Sequence, residues 1–258
     1  MSGQIIGLQD WFATPPGRYL LAWEQAQFDE AVADVFGYHA LQLGAAEIEG
    51  LRANRMPHRW LALSDPLQQP GRAALFTDFA ALPFAANSLD LVVLPHALEL
   101  SPDPHATLRE VERVLVPEGR VVICGLNPTS LWGLRQRRGH LYRRLGLGET
   151  FLPEAGEFIG YWRMRDWLRL LSFEVESGRF GIYRPAVRSD AWLERSRWMD
   201  AIGERWWPIF GAAYFLVAVK RVRGMRLLSA DWRRAAARAT APVPIAGKVH
   251  RSSEAGKN

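Results

Sequence analysis

The chain has 258 residues, of which 48% are hydrophobic and 23% are charged, and it carries a net charge of +5. This composition is typical of a globular protein and excludes collagen-like, coiled-coil and disordered chains. The single cysteine, Cys124, cannot form an internal disulfide, which favours a reducing compartment. No export signal is visible at the start, and the longest apolar run has 14 residues, fewer than the roughly 20 that a spanning helix needs. We therefore expect a cytoplasmic protein.

The positive charge is concentrated at the carboxyl terminus. Residues 221–258 carry a net charge of +7, so the preceding 220 residues sum to −2. From Ala235 onward the chain is rich in Ala, Pro, Ser and Gly, and we predict a basic, disordered tail over residues 225–258. Two interpretations of this tail stay open: a weak contact with RNA or an anionic membrane, or a solubilising extension, which is the commoner role of terminal charge blocks. No stable partner is inferred.

The predicted elements begin with a helix within residues 17–36, where apolar residues recur at helical spacing and Gly37 is the expected carboxyl cap. Before the fifth of the predicted strands, Asp103 can cap a helix that has Pro104 at its first position and ends at Pro117 and Gly119. A later helix is predicted over residues 163–171. Short apolar runs predict strands over residues 39–44, 60–64, 73–76, 89–94, 120–124, 173–177 and 214–220.

Strands that alternate with helices and are apolar on both faces are typical of a parallel sheet covered on both sides. We therefore predict an α/β fold, a doubly wound sheet of seven mainly parallel strands in which residues 214–220 return as an antiparallel edge strand. The predicted domain spans residues 37–224 and follows an N-terminal helical extension, residues 1–36. It contains an insertion, residues 186–210, between the last two strands.

Within the insertion, four apolar residues share one face of a predicted helix: Trp192, Met199, Ile202 and Trp206. Such a stripe usually packs into a core, and that is the interpretation we favour. The alternatives are an aromatic lid over a hydrophobic ligand, or a helix that lies on a membrane surface.

Ligands of doubly wound sheets bind beyond the carboxyl ends of the strands, so the residues that follow each strand are the candidates. Gly44 follows the first strand, but a loop that holds a phosphate or nucleoside usually has several glycines. Asp65 comes 21 residues later and can either accept hydrogen bonds from both hydroxyls of a ribose or begin an Asp-Pro turn. After the third strand, Asp78 can accept from an adenine amino group while Phe79 packs on the ring, or Asp78 can cap the next turn.

His96 comes directly after the fourth strand, where we expect it to face the cleft. It is the candidate catalytic residue, for positioning an acceptor or removing its proton, and Glu99 is a weaker second candidate. The alternative is a histidine that is hydrogen-bonded within its own loop, which is the commoner situation. The six histidines show no spacing suited to a metal, so no metal site is predicted.

An arginine cluster follows the fifth strand and consists of Arg135, Arg137, Arg138, Arg143 and Arg144, around His140. Together with the preceding residues 127–130 it could form a cover over the cleft that receives an anionic acceptor. The alternative is a solvated arginine-rich helix in a chain that uses almost no lysine.

The run from Thr77 to Asn127 resembles the central half of class I S-adenosylmethionine-dependent methyltransferases, in particular the type 11 group, which includes quinone-biosynthesis methyltransferases. Three linked motifs carry the resemblance: Asp78 with Leu82, Pro83 and Phe84; Ser88, Leu89 and Asp90 at the start of a strand; and Arg113, Val114 and Leu115 with Pro117 and Gly119. The resemblance covers about residues 37–180, with the closing strand near residues 214–220 also in place.

This resemblance implies S-adenosylmethionine as the cofactor and a methyl transfer to a small-molecule acceptor. Since such a transfer is an in-line displacement, it needs alignment more than a catalytic triad. The resemblance implies that Asp65 holds the ribose, that Asp78 and Phe79 lie at the adenine, and that the other cofactor contacts come from Leu43, Gly44, Leu94 and Pro95.

Two features depart from the family pattern. The first loop has Gly44 followed by Ala45, Ala46 and Glu47, where the family usually has about three glycines. Only residues 66–72 are available for the helix that the family usually has between the second and third strands. These departures motivate a second hypothesis, in which the protein has the methyltransferase fold but has lost catalysis and serves as a binding or scaffold module.

Overall fold

The computed structural model describes residues 10–65, 71–144, 151–152 and 158–221. The predicted tail and residues 66–70 of the connection between the second and third strands lie outside these ranges. The predicted division into an extension, a domain and a tail therefore stays a prediction.

Every predicted strand and helix within the described ranges is present. The helices are α1 (Pro15–Ala33), α2 (Ala97–Leu100), α3 (Pro104–Val114), α4 (Leu131–Arg144), α5 (Tyr161–Leu170), α6 (Asp190–Arg195) and α7 (Trp198–Trp206), with a 3-10 turn at Pro208–Phe210. The strands are β1 (His39–Leu43), β2 (His58–Leu63), β3 (Leu75–Phe76), β4 (Leu89–Pro95), β5 (Leu115–Leu126), β6 (Phe173–Gly181) and β7 (Ala213–Lys220).

Helix α3 begins as its sequence predicts and ends three residues earlier than expected. The Asp103 side chain accepts a hydrogen bond from the Ala106 amide at 2.9 Å, which caps the helix. At the other end Leu115 is already extended, with φ −69° and ψ 137°, and it pairs with Leu89 of β4. The next residue precedes Pro117, a position that disfavours helical backbone, so the chain passes directly from α3 into β5.

The seven strands form one sheet in the order β3-β2-β1-β4-β5-β7-β6. Strands β1 to β5 pair in parallel, whereas β7 runs antiparallel to both β5 and β6. The predicted mainly parallel sheet with an antiparallel edge is therefore confirmed, but the edge is not formed by residues 214–220 as predicted. The reversed strand β7 lies one position inside that edge, and β6 forms the edge itself.

Helices cover both faces of the sheet, as expected for strands that are apolar on both sides. On one face, Phe28 and Val32 of α1 pack with Val93 of β4 in a buried cluster. On the other face, α3 and α5 pack against alternate residues of the same strands, such as Leu94. The amino-terminal helix is thus part of the layered structure.

The insertion departs from the predicted core packing. It forms α6, α7 and the 3-10 turn, in which the buried inner positions are Leu193 and Gly203. Trp192 and Trp206 of the predicted stripe are 60% and 69% exposed, so the prediction that this stripe packs in the core is wrong. The reason is that both helices are short, and each buries only one of its residues, Leu193 in α6 and Gly203 in α7.

Of the helices in the part of the chain that the structure describes, none is both long enough and apolar enough to cross a membrane.

Candidate cofactor site at the carboxyl edge of the sheet

The carboxyl ends of β1, β2 and β4 lie side by side, which brings several of the predicted site residues to one edge. The Gly44 amide donates to the Ala62 carbonyl of β2 at 3.0 Å. A Cβ atom placed on Gly44 would lie 3.3 Å from the Ala97 Cβ atom, just beyond β4, and Gly44 has a positive φ of 78°. Asp65 follows β2 by two residues and is half-buried. Gly44 therefore occupies a place where both the backbone conformation and the space favour glycine.

The other predicted cofactor residues differ in how much of them a ligand could reach. Asp78 is exposed, and its Oδ1 atom accepts from the Ala80 amide at 2.9 Å, which is the turn-capping role considered as the alternative. Phe79 and Leu94 are buried in the core cluster that contains α3. Leu43 and Pro95 are also buried. The roles of these residues toward a cofactor stay predictions.

The loop after β1 is folded onto the sheet by a side chain that sequence reasoning missed. Gln42 is buried, and its Nε2 atom donates to the carbonyls of Ala45 at 3.1 Å and Ile48 at 2.7 Å. Its Oε1 atom accepts from the Gly50 amide at 3.0 Å. Ala45 packs into the cluster beneath α1. The sequence does contain an indication of this role, because Gln42 is a polar residue inside an otherwise apolar strand and a buried amide must find hydrogen-bond partners.

No helix follows this loop: residues 44–57, all described by the structure, form turns that lead directly into β2. The connection between β1 and β2 therefore offers no helix amino terminus to a ligand at this edge, which a helix in the same place would provide.

His96 does not face the cleft, and the predicted orientation is wrong. Its side chain is 2% exposed, and its Nε2 atom lies 2.9 Å from Glu24 Oε1 of α1. Its Nδ1 atom lies 2.8 Å from Glu99 Oε2. Glu24 Oε1 also accepts from the Cys124 thiol at 3.2 Å, and Glu99 Oε1 accepts from the Leu126 amide at 2.6 Å. The network joins α1 to the ends of β4 and β5, and both ring nitrogens of His96 are occupied.

Electrostatics favour a protonated His96 in this network. Burial by itself lowers the pKa of His96, but the adjacent Glu24 and Glu99 carboxylates outweigh that effect and raise the pKa to about 10. Burial raises the pKa of Glu99 and that of the Cys124 thiol. A cationic imidazolium between two carboxylates holds three elements together and has no free nitrogen for a proton transfer with substrate. The geometry favours the hydrogen-bonded alternative over the catalytic role, which stays an untested prediction.

The same residues form a group that spacing rules do not detect. Ligand atoms of Glu24, His96 and Cys124 all lie within 4.8 Å of one another, in a donor set that could hold a metal ion. The prediction of no metal site considered only residues close in sequence, whereas these belong to α1, the end of β4 and β5. In the geometry observed, hydrogen bonds among the three residues already use Glu24 Oε1 and His96 Nε2.

Comparison with known proteins gives the class of this fold. The methyltransferase domain family matches residues 62–123. The fold is similar to a chain of the complex between the Haloferax volcanii Trm112 methyltransferase activator and the putative methyltransferase, with a TM-score of 0.55 and 19% identity over 85% of this chain and 98% of that one. It is also similar to a SAM-dependent methyltransferase from Archaeoglobus fulgidus, with a TM-score of 0.52 and 15% identity over 78% of this chain and 94% of that one.

The sheet and the matched domain thus define a class I S-adenosylmethionine-dependent methyltransferase fold. Within this class the chain belongs to the family of the uncharacterized protein YafS of Escherichia coli (strain K12). The two are 32% identical over 181 residues, which cover 69% of this chain and 70% of that relative.

Proposed function

We propose that the protein is an S-adenosylmethionine-dependent methyltransferase that acts on a small-molecule acceptor. The observation that carries the proposal is that Gly44 and Asp65 follow the neighbouring strands β1 and β2 at the same edge of the sheet, with Gly44 next to the end of β4, inside a fold of this class. The matched methyltransferase domain, residues 62–123, includes Asp65 and Asp78.

The residues present fit the nucleoside half of the cofactor. Asp65 is a half-buried carboxylate beyond β2, suited to the two ribose hydroxyls. Asp78 is an exposed carboxylate beyond β3, suited to an amino group. Gly44 is buried, has a positive φ of 78° and has no side chain, which lets the chain turn closely against Ala97 at the end of β1. When bound, S-adenosylmethionine supplies an electrophilic methyl group on its sulfonium.

The chain's own contribution would be binding and alignment. An in-line displacement is accelerated mainly by aligning the methyl donor with the methyl acceptor. A general base is required only when the methyl acceptor must lose a proton. The network around His96 would act by fixing the backbone at the end of β4, where residues 94–97 border the site. We therefore treat His96 as a positioning residue.

Calorimetric titration with S-adenosylmethionine and S-adenosylhomocysteine tests the proposal on the full chain. Asp65→Ala should weaken binding by about 1–3 kcal/mol, because the ribose hydroxyls would lose a half-buried hydrogen-bond partner. Asp34→Ala is the matched control, since Asp34 is an exposed acid just before β1, at the opposite edge of the sheet. Failure of the wild type to bind at millimolar cofactor would contradict the proposal and favour the scaffold hypothesis.

A further inference from the structure

A cavity of about 810 Å³ lies between α4 and the loop that follows β6. Strands β5 and β6 are both antiparallel to β7 and therefore run in the same direction. Helix α4, after β5, and residues 185–187, after β6, consequently leave from the same carboxyl edge, where such sheets bind ligands. The volume falls within the range of about 300–1,000 Å³ that is typical of small-molecule sites.

The walls of this cavity are largely apolar. Leu134 and Tyr142 of α4 are 50% and 45% exposed, and both line the cavity. The Arg135 guanidinium lies 4.8 Å above the Phe151 ring and donates a hydrogen bond to the Ala186 carbonyl, so it joins the two walls at one point. The other apolar lining residues are Leu131, Pro185 and Val187.

The rim is positively charged. The residues that line the cavity include three arginines of α4 and no Asp or Glu. Arg137 and Arg138 line the cavity, and neither has an ion-pair partner among the residues that the structure describes. A guanidinium forms paired hydrogen bonds with carboxylate or phosphate oxygens, so an anionic group is the chemistry that matches this rim.

We propose that the cavity between α4 and residues 185–187 binds an amphiphilic anion, with its apolar chain against Leu134 and Tyr142 and its carboxylate or phosphate at Arg137 and Arg138. That this anion is the class of methyl acceptor rests on the proposed function. The insertion leaves from the same edge of the sheet and exposes further aromatic surface, including the tryptophans that the sequence predicted in the core. The solvated-helix interpretation of the arginine cluster offers no reason for the apolar walls.

Isothermal titration of the full chain with dodecyl phosphate, below its critical micelle concentration, tests the site. We expect saturable binding with one ligand per chain. Dodecyltrimethylammonium, which has the same chain and the opposite charge, and ethyl phosphate, which has no long chain, should each bind at least about tenfold more weakly, a difference of about 1.4 kcal/mol. Equal binding of the anionic and cationic chains would overturn the proposal.

The double variant R137A/R138A should weaken dodecyl phosphate binding by about tenfold or more. Arg165→Ala is the matched control, because Arg165 lies over the Trp162 ring much as Arg138 lies over the Tyr142 ring, but outside the cavity. Unchanged affinity in R137A/R138A would refute the assignment.

A second arm distinguishes a free amphiphile from a lipid headgroup. The protein is cosedimented with vesicles of phosphatidylglycerol and phosphatidylcholine. If the wild type cosediments, R137A/R138A cosediments less, and the monomeric probe does not bind, the result supports the site with a bilayer lipid as the source of the anion. The basic tail is present in both proteins, so the difference reports on the cavity. No binding in either arm would overturn the proposal.

The same samples are titrated with S-adenosylhomocysteine to separate this proposal from the proposed function. Probe binding without cofactor binding would keep the anion site and contradict the methyltransferase. Cofactor binding without binding of either the probe or the vesicles would do the reverse.

Discussion

Replacement of Glu24 by Gln tests whether His96 is held as a buried cation. Glu24 is fully buried in α1, and its Oε1 atom contacts both His96 Nε2 at 2.9 Å and the Cys124 thiol at 3.2 Å. Glu99 still compensates the imidazolium in this variant, at 2.8 Å from Nδ1, so what is lost is one hydrogen bond between charged groups, which typically contributes about 1.5–3 kcal/mol. We expect Glu24→Gln to lower the free energy of unfolding by this amount at pH 7, a substantial part of the about 5–15 kcal/mol that stabilises a typical domain.

The same network predicts how the stability of the wild type depends on pH. The pKa of His96 is about 10 in the folded protein, above its ordinary value of 6.5. Between these values the folded state binds the proton more tightly than the unfolded chain does. The stabilisation is therefore complete below pH 6.5 and is lost as the pH rises toward 10, at up to about 1.4 kcal/mol per pH unit. Glu24→Gln should reduce this slope.

Urea unfolding followed by circular dichroism at pH 6 to 9 measures both effects. Glu30→Gln is the matched control, because Glu30 lies on the same helix and forms an exposed ion pair with Arg179, and exposed pairs contribute little. If Glu24→Gln proves too unstable to measure, the wild-type slope decides the question. A wild type whose stability is constant between pH 6.5 and 9 would refute the cationic assignment.

Three further substitutions test the packing of the fold. Gly17→Ala would place a Cβ atom 2.2 Å from the Trp11 carbonyl oxygen, and because backbone cannot move easily we expect thermal unfolding to show a loss of stability of about 1–3 kcal/mol. Gly71→Ala is the control and should be neutral, because no atom lies within 4 Å of the added Cβ atom. Equal melting temperatures of the two variants would contradict the prediction. Lys220→Met removes a buried ammonium that donates three hydrogen bonds, so urea unfolding should show a loss of about 1–3 kcal/mol, and an unchanged midpoint would be evidence against those bonds. Asn54→Ala removes the side-chain donor to the Val32 carbonyl, at the end of α1, and to the Val35 carbonyl just beyond it. The loss should also be about 1–3 kcal/mol, and hydrogen exchange should show faster opening at that end.

Local sequence was sufficient to predict the strands of the sheet and the start of α3. The strands are short runs that are apolar on both faces, and burial in a covered parallel sheet is what such runs require. Asp103 and Pro104 predicted the start of α3 because capping acts within one turn of chain. The end of α3 was predicted too late, because pairing of Leu115 with Leu89 is a contact between distant segments.

The candidate site was only partly predictable for the same reason. Gly44 and Asp65 were recognised from their places after β1 and β2, and the structure brings both to one edge of the sheet. The network around His96 was not recognised, because Glu24 is 72 residues away in the chain and Cys124, which donates to Glu24, belongs to another strand. The exposure of Trp206 also depends on how the insertion packs, and a helical stripe has the same pattern whether it meets a core or solvent.

The amino-acid sequence alone therefore determined the order of strands and helices, the class of fold and the loop positions at which a ligand should bind, because these depend on apolar periodicity and capping over a few residues. Only the tertiary structure decided that the imidazole after β4 is enclosed by two carboxylates, that the loop after β1 is folded onto the sheet, and that α4 and the chain beyond β6 enclose an apolar cavity with an arginine rim. Burial, charge compensation and cavities arise where segments distant in the chain meet, and no local pattern records which segments those are.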